Sequence, residues 1–540
     1  MKKNILPIAV ILAVSIALTA VNYFWIKNNL SHLSPPWDQS AYIYMSLHEY
    51  EAIMKGNILQ FIDIVIRQAP NLAPLFPFTA IPFLVFFGLD VYTAYLVNSI
   101  YMFILLVSVF FITEKIGGRK AASLSVFIVA TFPAVIAFSR DYLFEFPLAA
   151  MTSLSYLFFL KSESFLNKKY SILFGICAGL SILTKTMGVV FFVLPFLYAV
   201  YVLVKTKSAR KNIVYAFLSF LIVSAFYYVP NVQHIFGYLF YYGIGQGAKD
   251  YNVGVSDLMS FKYWTIYLQH ITERGISPLY LVIFIASLIP FLLTRKKELS
   301  KDYILVWLWF IAGYILLSIP LNKGGERYAL PILPAIAVLT SVHITKLSLK
   351  PIRYFFIVAA IAAGVLNYAY QTNSERCMYR EIYYKNFPVF VITQISCRMQ
   401  QEVHAAYDRK WELLPILLEI DNSANRDMIG HVNVLVAVDH HFLNVNSLRL
   451  IATLNKLKGE SSTEFRFDGV AYKPNDEEVI RQLLDESHFV ITKSGYQGPD
   501  FCNVNNVMLK DLMKNYSPIK EVSMSDGAIV SLYKYKGKHI

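Results

Sequence analysis

Four short stretches carry residues whose types and spacing could do chemistry. The first is Ser34-Pro35-Pro36-Trp37-Asp38-Gln39-Ser40-Ala41-Tyr42, just after a long apolar run. The second reads Ser139-Arg140-Asp141-Tyr142-Leu143-Phe144-Glu145-Phe146-Pro147-Leu148. The third is Leu183-Thr184-Lys185-Thr186-Met187-Gly188, and the fourth Asn322-Lys323-Gly324-Gly325-Glu326-Arg327-Tyr328-Ala329-Leu330-Pro331. Each also has a plain structural reading. Trp37 suits an interfacial aromatic belt, and Asp38 suits a helix N-cap. Arg140 and Asp141 suit a surface pair, and Lys185 can snorkel to the interface. The last stretch reads equally as a flexible turn with interfacial Arg327 and Tyr328.

Together the residues describe one chemistry. A hydroxyl nucleophile needs a general base, which Asp38 can supply, with Glu145 and Asp141 as further acids. A phosphate leaving group needs positive charge, which Lys323, Arg327, Lys185, Arg140 and Arg67 can supply. Glycines let the backbone approach an anion closely, and the arginine fork matches phosphate geometry. Asp38, Asp141 and Glu145 also leave open a divalent cation, although such a hard ion needs several oxygen ligands. No other cofactor is called for.

The elements that must position these residues are membrane spans. The 540-residue chain is 56% hydrophobic and 16% charged, against about 25% charged in soluble proteins. Apolar runs of span length repeat up to Tyr370 and then stop. The net charge of +13 could suggest nucleic acid, but up to Tyr370 the basic residues cluster in the short gaps around Lys2, Lys115, Lys161, Lys205, Arg295 and Lys346. That is the pattern of cytoplasmic loops and not a nucleic-acid patch. The run Leu72–Gly88 is short and holds three prolines. Treating it as re-entrant or interfacial makes every basic gap cytoplasmic.

The expected spans are then 5–26, 90–113, 121–138, 145–160, 170–185, 187–205, 211–229, 277–294, 303–320, 328–345 and 353–370. Asp38, the turn at 139–145, Lys185, a long loop 230–276 and the turn 322–328 all fall on the outer side. Residues 38–55 read as a helix lying on the membrane surface. The expected architecture is a mainly α polytopic membrane domain over 1–370, with a first external loop at 27–89. Residues 371–540 form a small extracytoplasmic α/β domain. In that tail, strands are expected at 432–438, 489–492 and 529–535. Helices are expected near 448–457, 478–484 and 507–515. Cys377, Cys397 and Cys502 lie in the tail, and a Cys377–Cys397 disulfide is compatible with an oxidising side but not deducible.

The chain resembles the GT-C glycosyltransferases, in the branch holding the protein O-mannosyltransferases and the lipid A aminoarabinose transferases. Four segments carry the resemblance: PPWDQSAY; APLFPFTAIPFLVFFG with TEKIGGRKAASL; FSRDYLFEFPLAA with GLSILTK; and KGGERYALPILPAIAVL. The resemblance covers roughly residues 1–370. The resemblance implies that Asp38 is the catalytic base and Glu145 the second acid. It implies that Lys323, Arg327 and Tyr328 face the donor phosphate, and that Trp37 and Tyr42 line the substrate. Where many relatives have Asp-Glu in the first loop, this chain has Asp38-Gln39, and the nearest cation of that loop is Arg67.

The implied activity is inverting transfer of a sugar from a polyprenyl-phosphate donor to a lipid, glycan or protein hydroxyl. It would occur at the outer face of the cytoplasmic (inner) membrane. Two rivals remain: a lipid-linked sugar transporter or flippase, and an O-antigen ligase or polymerase. Against the transporter, the charges sit at one face, and no inverted repeat is visible.

Overall fold

The structure is a computed structural model. It describes residues 2–31, 33–68, 70–250, 259–294, 300–320, 325–372, 379–384, 387–393, 413–471, 476–498, 509, 511–524 and 526–537. Lys323, Cys377, Cys397 and Cys502 lie outside the described residues, as do 507, 508 and 510 of the helix expected at 507–515; of the rest, 509, 511 and 512 are helical and Met513–Asn515 forms a 3-10 turn. The chain divides into two compact units. One comprises Met1–Tyr23, Leu59–Thr79 and Tyr95–Met399, and the other Phe24–Ile58, Ala80–Ala94 and Gln400–Ile540.

The first unit is helical. Its apolar runs have no water to satisfy their backbone groups in a bilayer, so the helix is the conformation open to them. Among the described residues, seven helices are long and apolar enough to cross a membrane: Ile5–Leu30, Val91–Gly117, Thr186–Lys205, Lys207–Tyr228, Lys301–Ser318, Glu326–Thr345 and Lys350–Thr372. A further pair, Phe261–Gly275 and Pro278–Leu293, bends by 107° and counts as one more if it forms a broken span. The expected spans at 121–138, 145–160 and 170–185 fold as shorter helices. They are Arg119–Ala130 followed by Pro133–Phe138, then Glu145–Lys161, then Lys168–Thr184. Leu75–Phe87 is a 13-residue helix, shorter than a bilayer requires.

The expected long loop 230–276 is largely helical instead, with Val232–Gly243 and Phe261–His270 as its longest pieces. Its aromatic, one-sided composition hid helices that pack along neighbours. Tyr263, for example, donates its hydroxyl to the Ile319 carbonyl at 2.7 Å.

Packing in this unit follows residue size. Leu333–Thr345 is apolar on all sides and buried along its length, as a helix at the centre of a bundle must be. Gly117 closes the helix Asn98–Gly117 where a Cβ would come within 2.8 Å of Ala121 Cβ and 2.9 Å of Val342 Cγ2. The chain then turns at Gly118, whose φ of 80° suits glycine. The basic gaps gather at one end. Lys115 Nζ lies 3.1 Å from Asp302 Oδ2 and donates to the Leu160 carbonyl at 2.6 Å. Asn212 donates to the Phe165 carbonyl at 2.8 Å, and Lys301 donates to the Ser164 hydroxyl.

The strands are β1 Tyr379–Tyr384, β2 Phe387–Thr393, β3 His431–Val436, β4 Glu464–Gly469, β5 Phe489–Lys493, β6 Tyr516–Ser523 and β7 Ile529–Tyr535. β1 and β2 form an antiparallel hairpin in the first unit. The other five form one sheet in the second unit, ordered β4-β3-β5-β7-β6. β3 runs parallel to β4 and β5, while β7 runs antiparallel to β5 and β6. Strand alternation splits the core. Val432, Val434 and Val436 pack with Leu417 and Leu448 on one face, and Leu435 packs with Ile480 and Leu484 on the other. A sheet covered by helices on both faces results.

The helix Trp37–Met54 forms over the stretch read as a surface helix. In the second unit it packs along the helix Val445–Lys458, and Leu33 joins the apolar core beside Leu417. Its buried face includes Tyr42, Ile43 and Leu47 together with Gln39, Ser40, Ser46 and Glu49.

Candidate functional site

The first unit brings together four of the residues singled out by sequence. Glu145 opens the helix Glu145–Lys161 and is 2% exposed. Lys185, the residue that ends the helix Lys168–Thr184, places Nζ 2.6 Å from Glu145 Oε1. Arg327 places Nε 3.5 Å from the same oxygen. Tyr328 stacks beneath both cations, with Lys185 Nζ 4.8 Å and Arg327 Cζ 5.0 Å from its ring centroid. Arg327 also donates to the Tyr328 hydroxyl at 3.2 Å. Gly325 reaches φ 85° in open space, so the turn needs glycine there for its backbone and not for lack of room.

The electrostatics of this group are lopsided. A buried carboxylate is costly to hold unless it is paired, and here two cations share one of its oxygens. The second carboxylate oxygen, Oε2, is buried and has no hydrogen-bond partner among the described residues. The group therefore places two cations beside one unused acceptor for a hydroxyl. Two cations already stand against Glu145, so a divalent ion does not fit this position. Among the described residues no cluster of three His, Cys, Asp or Glu side chains is placed to hold a metal.

Arg274 was not anticipated, because it lies in the stretch read as a loop. It is 5% exposed, and its Nη1 lies 3.4 Å from Glu326 Oε2, beside Arg327 in the chain. A buried arginine next to a candidate anion site is the signal that could have found it.

Other expected residues are engaged elsewhere. Arg140 is buried and donates to Asn22 Oδ1 at 2.9 Å, the Gln371 carbonyl at 2.8 Å and the Thr372 hydroxyl at 2.8 Å. It ties together the helices that begin and end the membrane region. The backbone carbonyl of Asp141, not its carboxylate, accepts from Asn98 at 2.9 Å. Arg67 is exposed and lies 3.5 Å from Asp63.

In the second unit, Asp38 is exposed in the first turn of the helix Trp37–Met54, and Tyr42 is buried. Trp37 reaches the tail domain. Its ring lies 3.9 Å from that of His441, and its Nε1 donates to the Asp439 carbonyl at 3.1 Å. Neighbouring His440 is kept neutral, its pKa pushed down to about 3 by burial, with the Lys493 cation adding to the effect.

Residues 71–230 match the protein family described as dolichyl-phosphate-mannose-protein mannosyltransferase. No curated protein matches the chain by sequence. Among solved structures, the chain is similar to the ArnT of Cupriavidus metallidurans bound to undecaprenyl phosphate. The TM-score is 0.59 and the identity 13%, with 97% of each chain covered. The same protein in its apo state gives 0.58 and 14%, again with 97% of each chain covered. The chain therefore shares the fold of that protein over 97% of its length.

Proposed function

We propose that this protein is an integral membrane glycosyltransferase. It moves a sugar from a polyprenyl-phosphate donor to an acceptor hydroxyl at the outer face of the cytoplasmic membrane, with inversion at the anomeric carbon. The observation that carries the reading is the buried Glu145 flanked by two cations, Lys185 and Arg327. The family match over 71–230 and the GT-C-like fold support it, as does a neighbour in that fold that binds a polyprenyl phosphate.

In this mechanism Asp38 takes the proton of the acceptor hydroxyl, which attacks the anomeric carbon. Arg327, Lys185 and Lys323 stabilise the departing phosphate, and Arg274 adds charge through its place beside Glu326. The free oxygen of Glu145 accepts a hydroxyl of the sugar or acceptor. Trp37 and Tyr42 line the acceptor side. Arg140, Asp141 and Arg67 take second place, since the first is spent on tying helices. Functionally, residues 1–370 form the catalytic membrane domain of eleven spans, and 371–540 form an extracytoplasmic domain.

The test compares cells making the wild-type chain with cells making Asp38→Asn at equal expression. Sugars in the lipid, glycan and surface-protein fractions are measured by mass spectrometry. A sugar missing from one fraction names both sugar and acceptor class. Unchanged glycosylation in a folded Asp38→Asn protein overturns the assignment, and uptake or flipping assays then test the transporter reading.

A further inference from the structure

The second unit contains a contact that the proposed chemistry does not explain. Trp37, next to the candidate base, has φ 25°, a backbone region where a bulky side chain is an outlier. Such a conformation persists only where its surroundings over-determine it, and it concentrates at functional positions. Here three contacts determine it. The backbone N–H of Trp37 donates to the His441 carbonyl at 3.3 Å, its indole N–H donates to the Asp439 carbonyl at 3.1 Å, and its ring lies against the His441 ring.

The seat that receives Trp37 is itself fixed. Asn444 donates its amide to the carbonyls of His440 and His441, at 2.9 and 3.2 Å. The same Asn444 caps the helix Val445–Lys458 in a reciprocal capping box with Ser447. At the other side, the Asp439 N–H donates to the Gln497 carbonyl at 2.7 Å. The seat lies where the chain leaves β3, with Gln497 following β5. β3 continues to β4 on one side and β5 continues towards β6 and β7 on the other, so the connections from these two adjacent parallel strands leave in opposite directions there. In open α/β sheets, that point forms a crevice at the strand ends.

The turn holding Trp37 is fixed from within as well. Gln39 N–H donates to the Pro36 carbonyl at 2.8 Å, and the Ser40 hydroxyl donates to the Pro35 carbonyl. Ser34, Pro35, Gln39 and Ser40 are buried, whereas Asp38 is exposed. The arrangement immobilises the backbone around a single exposed carboxylate.

We infer that the segment Asp439–Asn444 of the tail domain is a seat for Trp37 that fixes the position of Asp38, with His441 as the positioning residue. This rests on Asp38 being the base. It gives the tail domain a role in the reaction that requires no substrate contact: a base acts only within hydrogen-bond reach of the proton it takes, so freedom in its backbone lowers the rate.

The experiment uses the full chain with His441→Ala, His441→Phe and Trp37→Phe. Hydrogen exchange of residues 35–42 and sugar transfer in cells are both measured. An aromatic pair of this kind is expected to change local opening by roughly two- to tenfold. His441→Ala should speed exchange and cut transfer by about that factor, and His441→Phe, which keeps a ring, should restore both. Trp37→Phe keeps the ring but loses the indole donor, so it should show the same direction at smaller size. It serves if His441→Ala does not fold.

Unchanged exchange in His441→Ala overturns the seat. Faster exchange with full transfer, while Asp38→Asn has none, overturns the positioning role. Full transfer in Asp38→Asn would instead remove the functional reading, leaving the exchange result to stand by itself.

Discussion

Glu145 concentrates the site's chemistry in one side chain. Its burial is tolerable because Lys185 and Arg327 share its Oε1. Glu145→Gln would leave two cations facing each other without their counter-charge. Removing one partner of a buried ion pair typically costs about 3–5 kcal/mol, so the thermal midpoint of the variant in detergent should fall clearly, and transfer should fall with it. Lys185→Met beside Glu145→Gln should recover part of the midpoint, because that pair no longer repels.

Glu49 behaves in the opposite way. It is 1% exposed on the helix Trp37–Met54, its Oε2 has no hydrogen-bond partner among the described residues, and burial raises its pKa well above the usual carboxylate range. A raised folded pKa means stability is full below the unfolded value and is lost as pH rises towards the folded one. Each unit of that interval costs up to about 1.4 kcal/mol. Glu49→Gln should therefore stabilise the second unit near neutral pH and flatten the decline that sets in as pH rises above the usual carboxylate range. Circular dichroism melts of the two proteins would check it, and a wild type with no such decline would refute it.

Among the elements, the helix Val445–Lys458 carries more than its own sheet. It covers β3, starts at the Asn444 capping box and receives the helix Trp37–Met54. Leu448 is fully buried in the core that includes Leu417, Val434 and Leu33. Leu448→Ala should cost roughly 2–5 kcal/mol through lost burial and a residual cavity. The same change should loosen residues 33–54, which hydrogen exchange would report as faster opening of a segment more than 390 residues away in sequence. A change confined to 431–470 would show that the two helices are energetically independent.

Over the whole molecule, charge sorts the ends of the first unit. Glu114–Arg119, Lys115–Asp302 and Lys301–Ser164 mark one end, where the basic gaps meet. If that end is cytoplasmic, in a chain freed of its four native cysteines an impermeant thiol reagent applied to intact spheroplasts should leave Ser164→Cys unlabelled. It should label Tyr496→Cys, which is exposed in the tail domain. The reverse pattern would invert the proposed orientation and place the tail inside. The two compact units also mean that Phe24–Ile58 folds with the tail and not with the apolar runs on either side of it.

The sequence by itself determined the membrane character, the positions of most long helices and the four stretches with chemical potential. These depend on local quantities: the length of an apolar run, the sign of the charges beside it, and a glycine where the turn needs one. It also located β3, β5 and β7, whose apolar alternation is strong. It did not reveal β4 and β6, because Glu464–Gly469 and Tyr516–Ser523 are edge strands with few buried positions, and their polar residues read as loop. The helices within 230–276 were missed for a related reason, since their aromatic residues face neighbours that no local pattern names.

Only the tertiary structure decided which charges meet. Glu145, Lys185 and Arg327 are separated by 40 and 142 positions, and nothing in either interval encodes their convergence. Arg140 and Lys185 look alike in the sequence as lone cations in turns expected on the outer side. Packing gives one to Asn22 and the helix end at Gln371, and the other to Glu145. The seat for Trp37 is likewise a product of the sheet: it exists because parallel strands bring the ends of β3 and β5 together, and sequence distance says nothing about that.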